Sequence, residues 1–446
     1  MKKGIGVKDL DKFSKNFNSS KTNLIAKNAV TSSGILKASE NFEVQYKNQH
    51  AFSITIDSGL ATDQKKSGRC WVFASLNIMR LEVMRKLNIE NMELSQSYIL
   101  FYDKLEKSNY FLENILDTLD ESTNGRLINH LLKEPMNDGG QWDMFKSLVE
   151  KYGVVPKDVY PESYNSSDTK SLEEYLTKKL REYAYILRRE YKKGKQIESL
   201  RNMKEEMLDT IYRILSISLG EPPRTFTWET YDKKKKFIKV SNITPKRFYK
   251  RFVNINLEDY VCVINAPTKD KPYNKIYSVK YLGSVYDGKY PVRYLNLDID
   301  RLKKLAIKSL KEGKVVWFGS DVGQFSNMEK GYLTLDAYRL DDLFNTSFDM
   351  NKAQRLEYSE SLMTHAMVIT GVDLDDNGKP TKWKVENSWG EKVGKKGYYV
   401  MSDDWFSEYV YEIIIDKKHL TKKEKELLET KPTMLEPWDP MGSLAK

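Results

Sequence analysis

Between Cys70 and Leu87 the apolar residues Phe73, Leu76, Met79, Leu81, Val83, Met84 and Leu87 recur at helical spacing, with no Gly or Pro to interrupt them. This pattern predicts a long buried helix whose first residue is a cysteine. Similar periods predict helices over Val7–Phe17, Ser95–Leu105, Ile115–Leu119 and Trp142–Tyr152, the last introduced by Gly139-Gly140 and stopped at Gly153. From Leu172 to Leu219 two further helical periods, separated at Gly194, predict a helical hairpin. Beyond residue 300 the pattern turns strand-like at Val315–Asp321, His365–Leu374, Lys382–Trp389 and Gly397–Asp403. Asp375-Asp376-Asn377-Gly378 supplies the turn of a hairpin between the second and third of these. Helices first and strands last make an α+β chain rather than alternating βαβ units.

The hairpin and the basic stretch after it interrupt this order as an inserted subdomain. The expected organisation is an N-terminal arm over 1–60, the helical part of a core over 61–165, the insertion over 166–299, the strand-rich part of the core over 300–418, and a C-terminal arm over 419–446.

Composition narrows the class. A chain of 446 residues with 40% apolar residues, 23 Gly and 13 Pro is globular and long enough for a large core. Lys8, Asp9 and Asp11 break the apolar run that a signal peptide needs, and no apolar run reaches the ~18–20 residues that span a bilayer. With two cysteines, Cys70 and Cys262, a disulfide framework is not expected, and a cytoplasmic location fits best. The formal charge of +10 is concentrated between Lys233 and Arg251, where nine Lys or Arg occur without an acid and Phe237, Phe248 and Tyr249 are interleaved. Such a stretch is either a solvated basic face or a weak nucleic-acid surface. None of the four histidines has a second ligand at zinc-site spacing, so neither metal nor other cofactor is expected.

The chemistry centres on Ser67-Gly68-Arg69-Cys70-Trp71. A cysteine at a helix N-terminus sits beside free N–H groups and a partial positive charge, both of which favour thiolate. A thiolate nucleophile also needs a base, a group to orient that base, and oxyanion donors. His365 opens one strand, Asn387 lies on the next across the hairpin, and Gln64 stands just before the cysteine.

In these contexts the residues resemble a known family. Gln64 with SGRCWVFAS, THAMVITGVD around His365 and ENSWG around Asn387 look like the active-site segments of papain-like cysteine peptidases, in the same order. NSSKTNLIAKNAV, DGGQWDMFKSLVEKYGVVP, VVWFGSDVG and EPWDPMGSLAK resemble the bleomycin hydrolase and aminopeptidase C branch of that family. The resemblance implies a papain-like core with Cys70, His365 and Asn387 as catalytic residues, and Gln64 with the Cys70 N–H as the oxyanion hole. It also implies Trp389 shielding the His365–Asn387 bond and Gly139 and Gly140 letting substrate backbone approach. Where papain-like enzymes carry C-G-[SA]-C-[WY], Ser67 replaces the first cysteine, and Cys70 and His365 lie much farther apart than the ~130–150 residues usual there, the surplus falling in the insertion.

By the same resemblance, the C-terminal arm lies in the cleft, Ala445 meets the substrate amino group, Lys446 is removed by self-processing, and the protein forms a homohexamer acting on peptides. A papain-like endopeptidase or acyltransferase, or a nucleic-acid-binding assembly protein, are the other readings.

Overall fold

The computed structural model describes residues 4–445. Cys70–Leu87 forms one helix as its pattern predicts, and buries Trp71, Val72, Phe73, Leu76, Met79 and Val83 against the strand that begins at His365. Helices also form over Val7–Asn18, Trp142–Tyr152, Lys170–Lys192 and Ile197–Leu219. Gly194, at φ 89°, lies in the connection between the last two, where a left-handed backbone suits glycine.

The two helices expected over Ser95–Leu105 and Ile115–Leu119 are one, Gln96–Asp117. Its middle reads as polar, yet Glu106 and Glu113 are buried and paired with Lys151 and Lys204. Carboxylates buried by pairing with lysines from other segments hide the helical period from a hydrophobic reading.

The strand signals beyond 300 assemble into the centre of a mixed sheet. Val410–Asp416, Val316–Ser320, His365–Leu374, Pro380–Glu386 and Tyr398–Ser402 lie side by side, each antiparallel to the next. The pairing of His365 with Ser320, and of Val368 with Glu386, sets the register that carries the site. One face of this sheet packs on the cysteine helix. The other is covered by Ile299–Lys311 and Asp403–Tyr409, which bury Leu302, Leu305, Trp405 and Phe406.

The insertion is not one separate unit over 166–299. Its two long helices pack on Gln96–Asp117 to make a helical lobe with its own apolar core. Tyr260–Ile264, Lys275–Val279 and Tyr294–Asn296 instead extend the main sheet, through pairing of Tyr260–Ile264 with Val410–Asp416. Short strands that add to an edge made by a distant segment leave no local mark of where they belong. The N-terminal arm likewise ends inside the core, with Ile54–Thr55 paired to the strand that starts at His365.

Candidate active site

Cys70 is the first residue of its helix. Arg69 before it contributes no side-chain cap, because a guanidinium has no acceptor for the helix N–H groups; it instead makes a two-pronged ion pair with Glu162 at 3.0 and 3.1 Å. The Cys70 and Trp71 N–H groups are therefore left facing the sulfur, whose charged form they favour. The Ala366 N–H, directly after His365, donates to Cys70 Sγ at 3.4 Å. The helix start and the strand start thus meet at the sulfur.

His365 Nε2 lies 2.9 Å from Asn387 Oδ1, and the Trp389 ring stands over the imidazole at a centroid distance of 4.7 Å. A proton on Nε2 donated to Asn387 leaves Nδ1 as the basic nitrogen. Asn387 is itself buried, and its Oδ1 also accepts the Ser388 N–H at 2.8 Å. Burial pushes the Cys70 thiol up to about 12, against the N–H groups that favour thiolate, and pushes the His365 imidazole down to about 4, against its bond to Asn387. Each charge alone is disfavoured. A proton passed from sulfur to imidazole creates instead a neutral pair of opposite charges.

Gln64 is buried, donates from Nε2 to the Ser67 carbonyl at 2.5 Å and accepts at Oε1 from Ser388 Oγ at 2.6 Å. These bonds hold its amide beside both the cysteine loop and the Asn387 segment.

Gly139 and Gly140 are buried beside Trp71 and the C-terminal arm. The Gly139 carbonyl accepts from buried Lys107 at 2.6 Å, and a Cβ on Gly140 would stand 2.4 Å from the Trp71 indole, so this glycine is required by the packing of the cysteine's own neighbour. The Gly140 N–H donates to the Ala445 carbonyl at 3.1 Å in an antiparallel bridge, and Ala445 is fully buried. Ser443 Oγ donates to the Met363 carbonyl at 2.7 Å, and Trp438 lies 3.8 Å under the Arg126 guanidinium. Lys446 lies outside the described residues.

Sequence reading missed the group that braces the cysteine loop. Asp138 accepts from the Gly68 N–H at 2.8 Å and from Thr169 Oγ1, and its carbonyl accepts the Trp71 indole N–H at 2.6 Å. Buried Lys104 pairs with Asp138 at 2.7 Å and with Glu173 at 2.9 Å. A charged residue on a helix is read as solvent-facing; only its place next to Gly139-Gly140 marked Asp138.

The basic stretch from Lys233 to Arg251 is exposed at all nine Lys and Arg. Phe248 and Tyr249 belong to the core and cannot stack on a ligand, which leaves Phe237 as the exposed aromatic of the three.

A thiol at a helix start and an imidazole aligned by a buried amide, with a buried glutamine amide beside the cysteine loop, define a cysteine peptidase with a papain-like constellation. The sequence model of the Peptidase C1-like family matches residues 4–442, and the chain belongs to that family. It is 50% identical over 418 residues to Aminopeptidase C of Streptococcus thermophilus, covering 94% of each chain. It is 44% identical over 432 residues to human Bleomycin hydrolase, covering 95% of each. Its fold matches the crystal structure of PepW from Lactobacillus rhamnosis HN001 with a TM-score of 0.98, at 50% identity over 100% of both chains. Among the described residues, no helix is long and apolar enough to cross a membrane.

Proposed function

We propose that this cysteine aminopeptidase releases the first residue of peptides through a thioester, with its own C-terminal arm restricting the cleft to free amino termini. The Cys70 proton passes to His365 Nδ1, and the sulfur attacks the first peptide carbonyl. The oxyanion is met by the Cys70 N–H and by the Gln64 amide hydrogen not used on Ser67, where one such donor is worth about 3–4 kcal/mol. His365 then gives the proton to the departing amine, and a water activated by the same imidazole hydrolyses the thioester. Asn387 keeps Nε2 protonated throughout, while Trp389 keeps water off that bond.

One observation carries the exopeptidase reading: the pairing of Gly140 with a fully buried Ala445. A cleft wall already paired with the arm leaves no room for substrate residues on the amino side of the first one. Once Cys70 has cleaved the chain after Ala445 and removed Lys446, the new carboxylate suits an ammonium group through a charge-assisted bond. Activity on an aminoacyl amide, and none on its N-acetyl form, is expected. Intact mass should end at Ala445 in the wild type and extend to Lys446 in Cys70→Ala. Equal hydrolysis of blocked and free amides would remove the exopeptidase reading and favour an endopeptidase.

Self-association, as the homohexamer of the resemblance, is supported by Val7–Asn18, which buries none of its residues and exposes Val7, Leu10, Phe13 and Phe17 along one stripe. A cytoplasmic setting suits two free thiols. Nucleic-acid binding is the second reading for Lys233–Arg251, favoured by the exposure of its nine cations. Retention on single-stranded DNA at low salt, lost on changing four of them to Ser, is its test.

A further inference from the structure

The cavity in front of the cysteine loop encloses about 710 Å³ and runs from Gly68, Asn137 and Asp138 past Glu173 to His365 and Trp389. Its charges divide by mobility. The acids Asp138 and Asp321 are buried and Glu173 is half-buried, each fixed by partners, whereas the acid Glu134 and the cations Lys65, Lys66 and Lys170 are exposed at the rim. Lys65 is further spent on Asp63 at 2.6 Å. A flexible, hydrated ammonium at a rim acts weakly on a bound ligand, while a carboxylate held in a wall acts at fixed distance.

Glu173 comes from the first helix after residue 166, Lys170–Lys192, and so joins the helical lobe to the cleft. Lys104 lies behind it, paired with both Asp138 and Glu173. With both acids ionised, one cation faces two carboxylates and the group is net negative. Ala445 pairs antiparallel with Gly140, so a peptide whose amino end meets Ala445 and keeps that register would run along Gly139 and Asp138, and thus to this wall.

We propose that Glu173 is a specificity-determining residue, giving preference to peptides whose first residue carries a cationic side chain, Lys or Arg. The proposal rests on the aminopeptidase reading above, which supplies the position of that first residue.

A pH signature follows. Burial lifts Glu173 to about 7, with Asp138 adding to the rise and Lys104 opposing it. Burial alone would raise Asp138 too, but Lys104 holds it below the ordinary carboxylate range. The other charges facing the group are the buried Asp103–Lys107 ion pair on the Lys104 helix, which adds no net charge, Glu134 from the Asp138 loop, Lys66 from the cysteine loop, Lys170 from its own helix and Asp321 from across the cavity. Below pH 7 the Lys104–Asp138–Glu173 group is neutral, and above it the group carries one negative charge. Preference for a cationic side chain therefore grows as pH rises through 7.

The test is kcat/KM for lysyl and leucyl chromogenic amides at pH 6 and 8, with wild type, Glu173→Gln and Glu173→Asp. Taking the ratio cancels losses that fall on both substrates, including any disturbance of the cysteine loop. The wild-type lysyl-to-leucyl ratio should rise several-fold between the two pH values and drop roughly tenfold at pH 8 in Glu173→Gln, with Glu173→Asp retaining part of it. Equal ratios in wild type and Glu173→Gln, or a ratio independent of pH, would overturn the assignment of Glu173 alone. Failure of the wild type to cleave either amide would instead overturn the aminopeptidase reading and the proposal with it.

Discussion

The Trp71 indole packs against Gly140, so close that a methyl group there would stand 2.4 Å from the ring. Its N–H donates to the Asp138 carbonyl at 2.6 Å, so the residue after Cys70 is locked to the Asp138–Gly140 segment. Gly140→Ala must displace either the indole or that segment. It is expected to cost about 1–3 kcal/mol of stability, as overpacking of a filled core does, and to lower kcat/KM. Denaturant melts and peptidase assays on the same preparation check this; wild-type values for both would show that the contact is not needed.

Cys70→Ala should abolish turnover by several orders of magnitude, whereas Cys262→Ala should retain it, since the Cys262 thiol is buried and donates to Asp143 at 3.5 Å. The alkylation rate of Cys70 by iodoacetamide also reports on its partner. Alone in its buried site, the thiol ionises only near pH 12. Paired with His365, it should react at a plateau through neutral pH and lose reactivity only toward pH 4, where the pair takes up one proton and the thiolate becomes a thiol beside an imidazolium. A rate that climbs without a plateau up to pH 10 would mean an unpaired thiol.

His365→Ala removes the base; Asn387→Ala leaves it but frees its orientation and tautomer. The second loss should be smaller, on the order of 10²-fold in kcat, with KM nearly unchanged. Equal losses would place Asn387 in the chemistry itself.

Glu412 offers a test of stability rather than activity. It is buried with no cation paired to it among the described residues, and burial lifts it to about 8, opposed by the neighbouring Cys262 thiol and reinforced by Asp143. Its folded value lies above the unfolded one, so its contribution is fully present below about pH 4.5 and is lost as pH rises through 8. Stability should fall by about 1.4 kcal/mol per pH unit across that window from this group. In Glu412→Gln the slope should flatten; an unchanged slope would mean that Glu412 ionises as freely in the fold as outside it.

Legibility in the sequence followed the physics of each element. The cysteine helix and the strands beginning at Val316, His365 and Tyr398 could be read because apolar period and turn chemistry coincide there. Cys70, His365 and Asn387 were readable as candidates because their segments have distinctive neighbours, and the structure brings the three together. Gln96–Asp117 looks like two helices in sequence because Glu106 and Glu113 resemble solvated positions until Lys151 and Lys204 meet them. Tyr260–Ile264 gave no sign of its partner, which lies at Val410–Asp416. The Lys104–Asp138–Glu173 group was hidden for the same reason: its members come from three separate segments, and each alone resembles a surface charge.

The central claim, that the arm converts a papain-like cleft into an aminopeptidase, is tested most directly by removing residues 441–446 and measuring hydrolysis of an internally quenched peptide with an acetylated amino terminus. The full chain should leave this peptide intact, and the shortened chain should cut it at internal bonds in a reaction that iodoacetamide abolishes. A shortened chain that still cleaves free aminoacyl amides but rejects the blocked peptide would contradict the claim and assign amino-terminal selectivity to the cleft walls.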